Sequence, residues 1–233
     1  MKAIGIMKHG GPEALKILDV PEVNARKNEI RIENFASGVN PTDIILRDGR
    51  KAELQKKYPP PYVPGMDLAG VVDQVGDEVS TGIKVGDKVM AMVIPCAAHG
   101  AYREQIVLDQ RAVVKIPENS SLIESCTLPM NSLTARQSLD LLGLKPGQTL
   151  AVTGGAGAYG GYLIQLAKKE KLIVIADSLK NDEKLITSLG ADIIVSRGEN
   201  YAEKIREHFP NGVDGLADGA LLNERAIDAV KDG

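Results

Sequence analysis

Four short stretches rich in apolar residues in the C-terminal half of the chain predict strands: buried ones at 150–153 and 172–176, a third at 192–195, and a less apolar fourth at 213–217. Between the runs, apolar residues recur at helical spacing. This predicts helices after the first run, at 181–189, at 200–209, and from Asn223 to Gly233. Strands that alternate with helices favour a parallel sheet with helices on its faces.

The N-terminal half has a different pattern. Short strand-like runs at 3–7, 29–36, 69–75, 88–93 and 103–108 are separated by glycine- and proline-rich turns. A series of strands without intervening helices predicts a barrel or a sandwich. A helix at 130–142 precedes the change of pattern, and we predict two domains, 1–120 and 121–233.

A glycine-rich turn follows the first apolar run of the second half. Gly155, Gly157 and Gly160, with Ala158 and Tyr159 between them, fit G-x-G-x-x-G at the junction of a strand and a helix. Glycines there let backbone N–H groups approach a pyrophosphate at the helix N-terminus, so the turn predicts dinucleotide binding. The alternative is a glycine-rich turn that binds no ligand.

An aspartate ends the second run of the same half. Asp177 is placed to accept hydrogen bonds from an adenosine ribose, as acidic residues do in dinucleotide-binding folds. It is equally suited to cap the following segment, and the two roles are compatible.

Composition excludes several classes of protein. The 28 basic and 31 acidic residues are mixed along the chain, which argues against a nucleic-acid partner. No apolar run approaches the roughly 18 residues of a membrane helix. Two cysteines, Cys96 and Cys126, are too few for a disulfide framework, so we predict a reducing compartment, the cytosol.

The predicted parallel sheet is short. A doubly wound dinucleotide fold usually has about six strands, whereas the apolar runs account for four. We therefore expect a Rossmann domain that is incomplete at its C-terminus, as in a portion of a longer protein. The alternative is a naturally shortened member whose sheet edge is covered by something else.

Several motifs, in order along the chain, together resemble the medium-chain dehydrogenase/reductase superfamily, and within it the zinc-independent quinone oxidoreductase (zeta-crystallin-like) branch. They are G-V-N-P-T-D at 38–43, P-Y-V-P-G-M-D-L-A-G at 61–70, V-G-D-K-V at 85–89, G-A-Y-R-E at 100–104 and L-T-A at 133–135. The resemblance implies a GroES-like β-barrel substrate domain, a Rossmann cofactor domain, and an active site in the cleft between them.

The resemblance also bears on metal binding. Asn40 stands where zinc-dependent relatives have their first cysteine ligand, and Met66 where they have a histidine, so we predict no metal. Without a Lewis acid the hydride acceptor must already be electrophilic, which favours a quinone or an α,β-unsaturated carbonyl.

Site residues follow from the same matches. By resemblance, Asn40 lies near the nicotinamide and the substrate, Thr42 orients the substrate, and Thr134 contacts the cofactor. Ile45 replaces a tyrosine that many relatives carry in the substrate pocket, and Tyr62 is its nearest substitute by sequence. The alternatives are that Asn40 only forms a turn, that Thr42 caps a helix at 43–47, and that Tyr62 is a packing residue.

The choice of cofactor is divided. Asp177 matches the acidic residue that prefers NAD, whereas Lys180 and Arg197 fall near positions where NADP-using relatives contact the 2′-phosphate; both are also ordinary surface charges. The family's habit slightly favours NADP(H) over NAD(H). We expect a homodimer if the full-length chain is present.

The predicted function is NAD(P)H-dependent reduction of a small-molecule quinone or enone. The alternative is a cofactor-binding protein without turnover, either an NADPH sensor or a structural protein of the crystallin kind. A metal-dependent alcohol dehydrogenase is a third possibility, and zinc analysis of the purified protein tests it.

Overall fold

The computed structural model describes residues 1–232, and of Leu54 it describes the backbone only. The chain divides into two compact units, the first ending at Met130 and the second beginning at Asn131.

The first unit is built around antiparallel strands. Its elements are β1 (Lys2–Gly5), β2 (Lys16–Asp19), β3 (Glu29–Ser37), α1 (Pro41–Asp48), α2 (Ala52–Gln55), β4 (Asp67–Val75), β5 (Lys88–Met92), β6 (Gln105–Asp109), β7 (Val113–Lys115) and α3 (Leu122–Ser125). A five-stranded sheet has the order β6-β3-β4-β5-β7, and β1 pairs with β2. Residues alternate along β3, so that Ile30 and Ile32 enter the core while Arg31 stays partly exposed.

The five strands predicted in this unit are present, and β2 and β7 were not predicted. Both are short, and neither alternates between buried and exposed residues, so they lack the period of two that identifies a strand. The unit extends past the predicted boundary at residue 120, because α3 packs against β3, β4 and β5.

The helix α1 begins earlier than in the alternative in which Thr42 caps a helix at 43–47. Its N-cap is Asn40, Pro41 is its first residue, and Thr42 lies inside the helix rather than capping it. The Asp43 carboxylate accepts a hydrogen bond from the Asn40 backbone N–H at 2.7 Å, which secures the first turn.

The second unit alternates strands and helices, as predicted. The helix α4 (Pro129–Leu142) leads into β8 (Thr149–Thr153), α5 (Ala158–Lys169), β9 (Ile173–Ser178), α6 (Glu183–Leu189), β10 (Ile193–Ser196), α7 (Tyr201–His208), β11 (Gly215–Asp218) and α8 (Glu224–Ile227). The four strands are parallel in the order β10-β9-β8-β11. This order is that of the first four strands of a Rossmann sheet.

All residues of β8 are buried because helices cover both faces of the sheet. Leu163 and Ile164 of α5 belong to the core on one face, and Tyr201 and Ile205 of α7 to the core on the other. The predicted fold, a GroES-like β-domain followed by a four-stranded parallel sheet, is therefore confirmed.

The last helix is shorter than predicted. It ends at Ile227, and the predicted end at Gly233 lies outside the described residues. Within residues 1–232, no helix has the length and apolar character needed to cross a membrane.

Candidate active site

The glycine-rich turn between β8 and α5 is tight. The chain leaves Thr153, passes Gly154 with a φ of 70°, and enters α5 at its N-cap, Gly157. A Cβ on Gly160 would lie 2.9 Å from the carbonyl carbon of Gly154. This distance is shorter than any at which a real Cβ atom approaches another atom, so a side chain here would collide with the backbone. The backbone therefore depends on Gly154 and Gly160, and the sequence motif had included only the second of them.

Asp177 holds this turn in place. Its side chain is 1% exposed at the end of β9, and its Oδ1 accepts hydrogen bonds from the N–H groups of Gly154 at 2.6 Å and Gly155 at 3.3 Å. Its Oδ2 accepts from Nε of Arg197 at 2.9 Å. Asp177, which the sequence predicts to bind the ribose of the cofactor, thus forms its hydrogen bonds within the protein.

Arg197 is partly exposed, with 35% of its side chain accessible. The hydrogen bond to Asp177 raises the pKa of Arg197, so the guanidinium stays charged beside the turn. Lys180 follows β9 in a short 3₁₀ turn and is exposed.

Two further predicted residues, Tyr159 and Thr134, are linked through Ser138. The hydroxyl group of Tyr159 donates to Oγ of Ser138 at 2.8 Å, and the Ser138 hydroxyl donates to the Thr134 carbonyl oxygen at 2.9 Å. Tyr159 therefore ties α5 to the turn of α4 that carries Thr134. Sequence analysis did not identify Ser138.

The carboxyl ends of β8 and β11 are joined by polar side chains that sequence analysis also missed. The Thr153 hydroxyl donates to Oδ1 of Asp218 at 2.5 Å, and Oδ2 of Asp218 accepts from the Asn223 N–H at 2.8 Å. In Rossmann sheets with this strand order, dinucleotides bind at the carboxyl ends of the strands. Thr153 and Asp218 therefore lie at the candidate cofactor site.

In the first unit, Asn40 is fixed by a buried carboxylate. Nδ2 of Asn40 donates to Oδ2 of Asp67 at 2.7 Å, and Oδ1 of Asp67 accepts from the Met130 N–H at 2.6 Å. Asp67 is 0% exposed, and burial raises the pKa of this carboxyl group. The sequence signal for its role was weak, because Asp67 stands two residues before the strand predicted at 69–75.

A second carboxylate lies next to the first. Asp43 accepts hydrogen bonds from the N–H groups of Asn40 and Gly65, the latter at 2.8 Å, and from the Tyr102 hydroxyl at 3.1 Å. Burial, together with this carboxylate, raises the pKa of Tyr102, which therefore remains protonated at neutral pH. The backbone and the side chain of Asn40 are each held by an aspartate.

Thr42 and Ile45 line a cavity of about 250 Å³ in the first unit, together with Leu46, Met66, Tyr58 and Cys96. The ring of Tyr62 stacks on His9, with 5.5 Å between ring centroids, and its hydroxyl donates to the Tyr58 carbonyl oxygen at 3.0 Å. This placement gives Tyr62 the packing contacts that the alternative interpretation describes.

The predicted site residues thus form two groups, one in each unit. Asn40, Thr42 and Ile45 lie on α1 and its cap, while Thr134, Asp177 and Arg197 surround the glycine turn. A curled antiparallel sheet with such a helix, followed by a parallel sheet with such a turn, defines a GroES-like domain joined to a Rossmann dinucleotide-binding fold.

Comparison with known proteins agrees with this class. Residues 26–118 match the family model of the alcohol dehydrogenase GroES-like domain. The 2-methylene-furan-3-one reductase of Solanum lycopersicum is 32% identical, over 100% of this chain and 60% of its own length. The chloroplastic NADPH-dependent alkenal/one oxidoreductase of Arabidopsis thaliana is 30% identical, over 100% and 61%.

A solved structure is similar over most of its length. The quinone oxidoreductase from Coxiella burnetii is 30% identical, with a TM-score of 0.83 over 99% of this chain and 73% of that one. The chain belongs to the medium-chain dehydrogenase/reductase superfamily, in its zinc-independent quinone oxidoreductase branch. It spans 60% and 61% of the lengths of the two plant relatives.

Proposed function

We propose that this chain binds NADP(H) at the turn between β8 and α5 and that its protein reduces a small quinone or α,β-unsaturated carbonyl with it. The observation that carries the proposal is the turn itself. Gly154 and Gly160 pack backbone against backbone, and the N-terminus of α5 carries the unpaired N–H groups that favour a pyrophosphate. The Solanum and Arabidopsis relatives, named as reductases of enone-type compounds, support the same activity.

The cofactor preference rests on the pairing of Asp177. An acidic residue at this position disfavours a 2′-phosphate through charge repulsion. Here the carboxylate is buried against two backbone N–H groups and is neutralised by Arg197. Arg197 thus cancels the charge that would repel a 2′-phosphate, and the exposed Lys180 adds positive charge at the end of β9, so NADP(H) is favoured over NAD(H). The Arabidopsis relative is named as NADPH-dependent.

In this proposal, the bound nicotinamide supplies the hydride, and the first unit orients the acceptor. Thr42 lines the cavity, and its hydroxyl group would donate a hydrogen bond to the acceptor's carbonyl oxygen. The side chain of Asn40 is held by its hydrogen bond to Asp67, which preorganises it as an orienting group. No metal takes part in this proposed reaction.

The test is oxidation of NADPH, and separately of NADH, by the purified protein with 1,4-benzoquinone and then with 2-cyclohexen-1-one, followed by absorbance. We expect turnover with both acceptors and a preference for NADPH. Gly157→Asp places a carboxylate at the pyrophosphate position and should abolish cofactor binding. If NADPH binds but neither acceptor is reduced, the protein is a cofactor-binding sensor or structural protein.

A further inference from the structure

The loop between β11 and α8, residues 219–223, contains two residues in a conformation that side chains rarely adopt. Leu221 has a φ of 56°, and Asn223 has a φ of 54° with a ψ of −125°. A positive φ brings Cβ close to a carbonyl oxygen, so only glycine, and less often Asn or Asp, adopts it routinely. A leucine in this conformation carries backbone strain, which persists only where the surrounding structure enforces it.

Polar groups at the ends of β8 and β11 enforce the conformation of this loop. Oδ2 of Asp218 accepts the Asn223 N–H at 2.8 Å, and the Ala220 N–H donates to Oγ1 of Thr153 at 3.0 Å. Nδ2 of Asn223 donates to the Leu221 carbonyl oxygen at 3.1 Å. The backbone of Leu221 is therefore held on both sides.

The folded protein gains little from the side chain of Leu221. It is 75% exposed, so it removes little apolar area from water, while its backbone conformation is unfavourable. Strain of this kind concentrates at ligand clamps and active sites, where it is retained for function. The observation therefore points to a ligand that covers Leu221.

The loop lies against the glycine-rich turn. A Cβ on Gly219 would lie 2.8 Å from the Thr153 carbonyl oxygen, and a Cβ on Gly154 would lie 3.2 Å from the carbonyl carbon of Gly219. The backbones of the loop and of the turn are thus in contact, and Leu221 follows this contact by two residues.

The strand order indicates which part of a dinucleotide meets the loop. In the proposed site, the adenosine end lies at β9, with Asp177 and Arg197, and the pyrophosphate lies at the turn after β8. The strand β11 flanks β8 on the side opposite β9. A dinucleotide bound along the carboxyl ends of the strands would therefore extend its nicotinamide half past β8 to the end of β11.

We propose that Leu221 is a cofactor-binding residue whose apolar side chain covers the nicotinamide half of the bound dinucleotide, and that Asp218 and Thr153 hold the loop in the strained conformation that presents it. The inference rests on the proposed function, and it adds a residue on the nicotinamide side of the cofactor site. Binding buries the exposed side chain of Leu221, which favours the complex.

The experiment is isothermal titration of the purified protein with NADPH and with adenosine 2′,5′-bisphosphate, which has the adenosine half and the 2′-phosphate but no nicotinamide. Leu221→Gly and Leu221→Asn both remove the apolar side chain and relieve the strain. We expect the dissociation constant of NADPH to rise about fivefold or more, and that of the bisphosphate to change less than about twofold, because only NADPH loses apolar contact. Without cofactor, the melting temperature should rise by about 2–4 °C, because a left-handed conformation is relieved.

The matched control is Lys171→Gly. Lys171 also has a positive φ, 62°, and is exposed, but it precedes β9 at the amino ends of the strands. Its replacement should raise the melting temperature in the same way and leave both dissociation constants unchanged. The control thus separates relief of strain from loss of the side chain that covers the cofactor.

An unchanged dissociation constant of NADPH in both Leu221 variants would overturn the inference. Equal weakening of NADPH and the bisphosphate would also overturn it, because Leu221 would then act on the shape of the turn.

These titrations need no acceptor, so they separate the inference from the proposed reduction. Binding of NADPH that depends on Leu221, in a protein that reduces neither 1,4-benzoquinone nor 2-cyclohexen-1-one, would uphold the inference and refute the reductase. Reduction of an acceptor, with NADPH binding that is independent of Leu221, would uphold the reductase and refute the inference.

Discussion

Two buried aspartates, one in each unit, hold the backbone segments that carry the predicted site residues. Asp67 binds the side chain of Asn40 and the N–H of Met130, and Asp177 binds the glycine turn and Arg197. A buried carboxylate is costly unless it is well hydrogen-bonded, and once bonded it is costly to disturb. Each aspartate thus keeps its segment in one arrangement.

The pair formed by Arg197 and Asp177 gives a prediction about cofactor choice. Arg197→Ala removes the positive charge and leaves the Asp177 carboxylate without its ionic partner. We expect the dissociation constant of NADPH to rise about tenfold or more, because the unpaired carboxylate then repels the 2′-phosphate, and contact between like charges costs on the order of several kcal/mol. NADH lacks the 2′-phosphate and should lose less affinity.

Isothermal titration with both cofactors measures this difference. Lys169→Ala is the control, since Lys169 is an exposed cation near the opposite end of α5. Equal weakening of NADPH and NADH by Arg197→Ala would show that Arg197 acts on the shape of the turn and does not select the cofactor.

Among the helices, α5 has the strictest backbone requirement. It carries adjacent glycines, Gly160 and Gly161, that differ in their surroundings. A Cβ at position 160 would collide with the backbone of Gly154. A Cβ at position 161 would meet the end of the Leu189 side chain at 3.3 Å and the Gly155 carbonyl oxygen at an ordinary contact distance of 3.9 Å. Position 160 therefore accepts no side chain without movement of the turn.

Gly160→Ala and Gly161→Ala form a matched pair. We expect Gly160→Ala to lower the free energy of unfolding by about 1–3 kcal/mol through overpacking and to weaken NADPH binding. Gly161→Ala should be neutral or stabilising by up to about 1 kcal/mol, because alanine is the better helix former. Urea unfolding and cofactor titration of both variants check this, and similar behaviour of the two would contradict it.

The elements show which local patterns can be recognised from sequence. The strands β8 and β9 were predicted because they are buried on both faces and so consist almost entirely of apolar residues. The strands β10 and β11 are partly exposed and have shorter apolar stretches. The start of α1 was placed wrongly in the alternative interpretation. Both Asn40 and Thr42 are acceptable N-caps, and only the bond from the Asn40 N–H to Asp43 distinguishes them.

At the scale of the whole molecule, Asp214, which precedes β11, connects the beginnings of the neighbouring strands β8 and β11. Its carboxylate accepts hydrogen bonds from the N–H and the hydroxyl group of Thr149 in β8, both at 2.7 Å, and from Lys231 at 2.7 Å. The bond from Lys231, followed by the bond from the Thr149 N–H, holds the pKa of Asp214 well below its usual range.

This shift predicts an acid dependence of stability. A depressed pKa stabilises the folded state above the ordinary aspartate pKa of about 3.9, and the contribution is lost as the pH falls below that value. Asp214→Asn should therefore cost about 1–3 kcal/mol of unfolding free energy at pH 7. It should also reduce the loss of stability between about pH 4 and pH 2.

Urea unfolding at several pH values provides the measurement. Asp140→Asn is the control, because Asp140 forms an exposed pair with Arg136 on α4, and such pairs contribute at most about 1 kcal/mol. An acid dependence that Asp214→Asn leaves unchanged would mean that other carboxylates dominate it.

Homodimerisation and a cytosolic location stay predictions from the sequence.

The sequence by itself determined the two kinds of architecture, the four parallel strands and the glycine turn. These features depend on residues that are neighbours along the chain, whose apolar periodicity and turn propensity act locally. Only the tertiary structure decided what the site residues contact. Asp67 meets Met130 across 63 residues, Asp177 meets Gly154 across 23, and Tyr159 meets Ser138 across 21. Such contacts follow from the packing of separate elements, which no local pattern records.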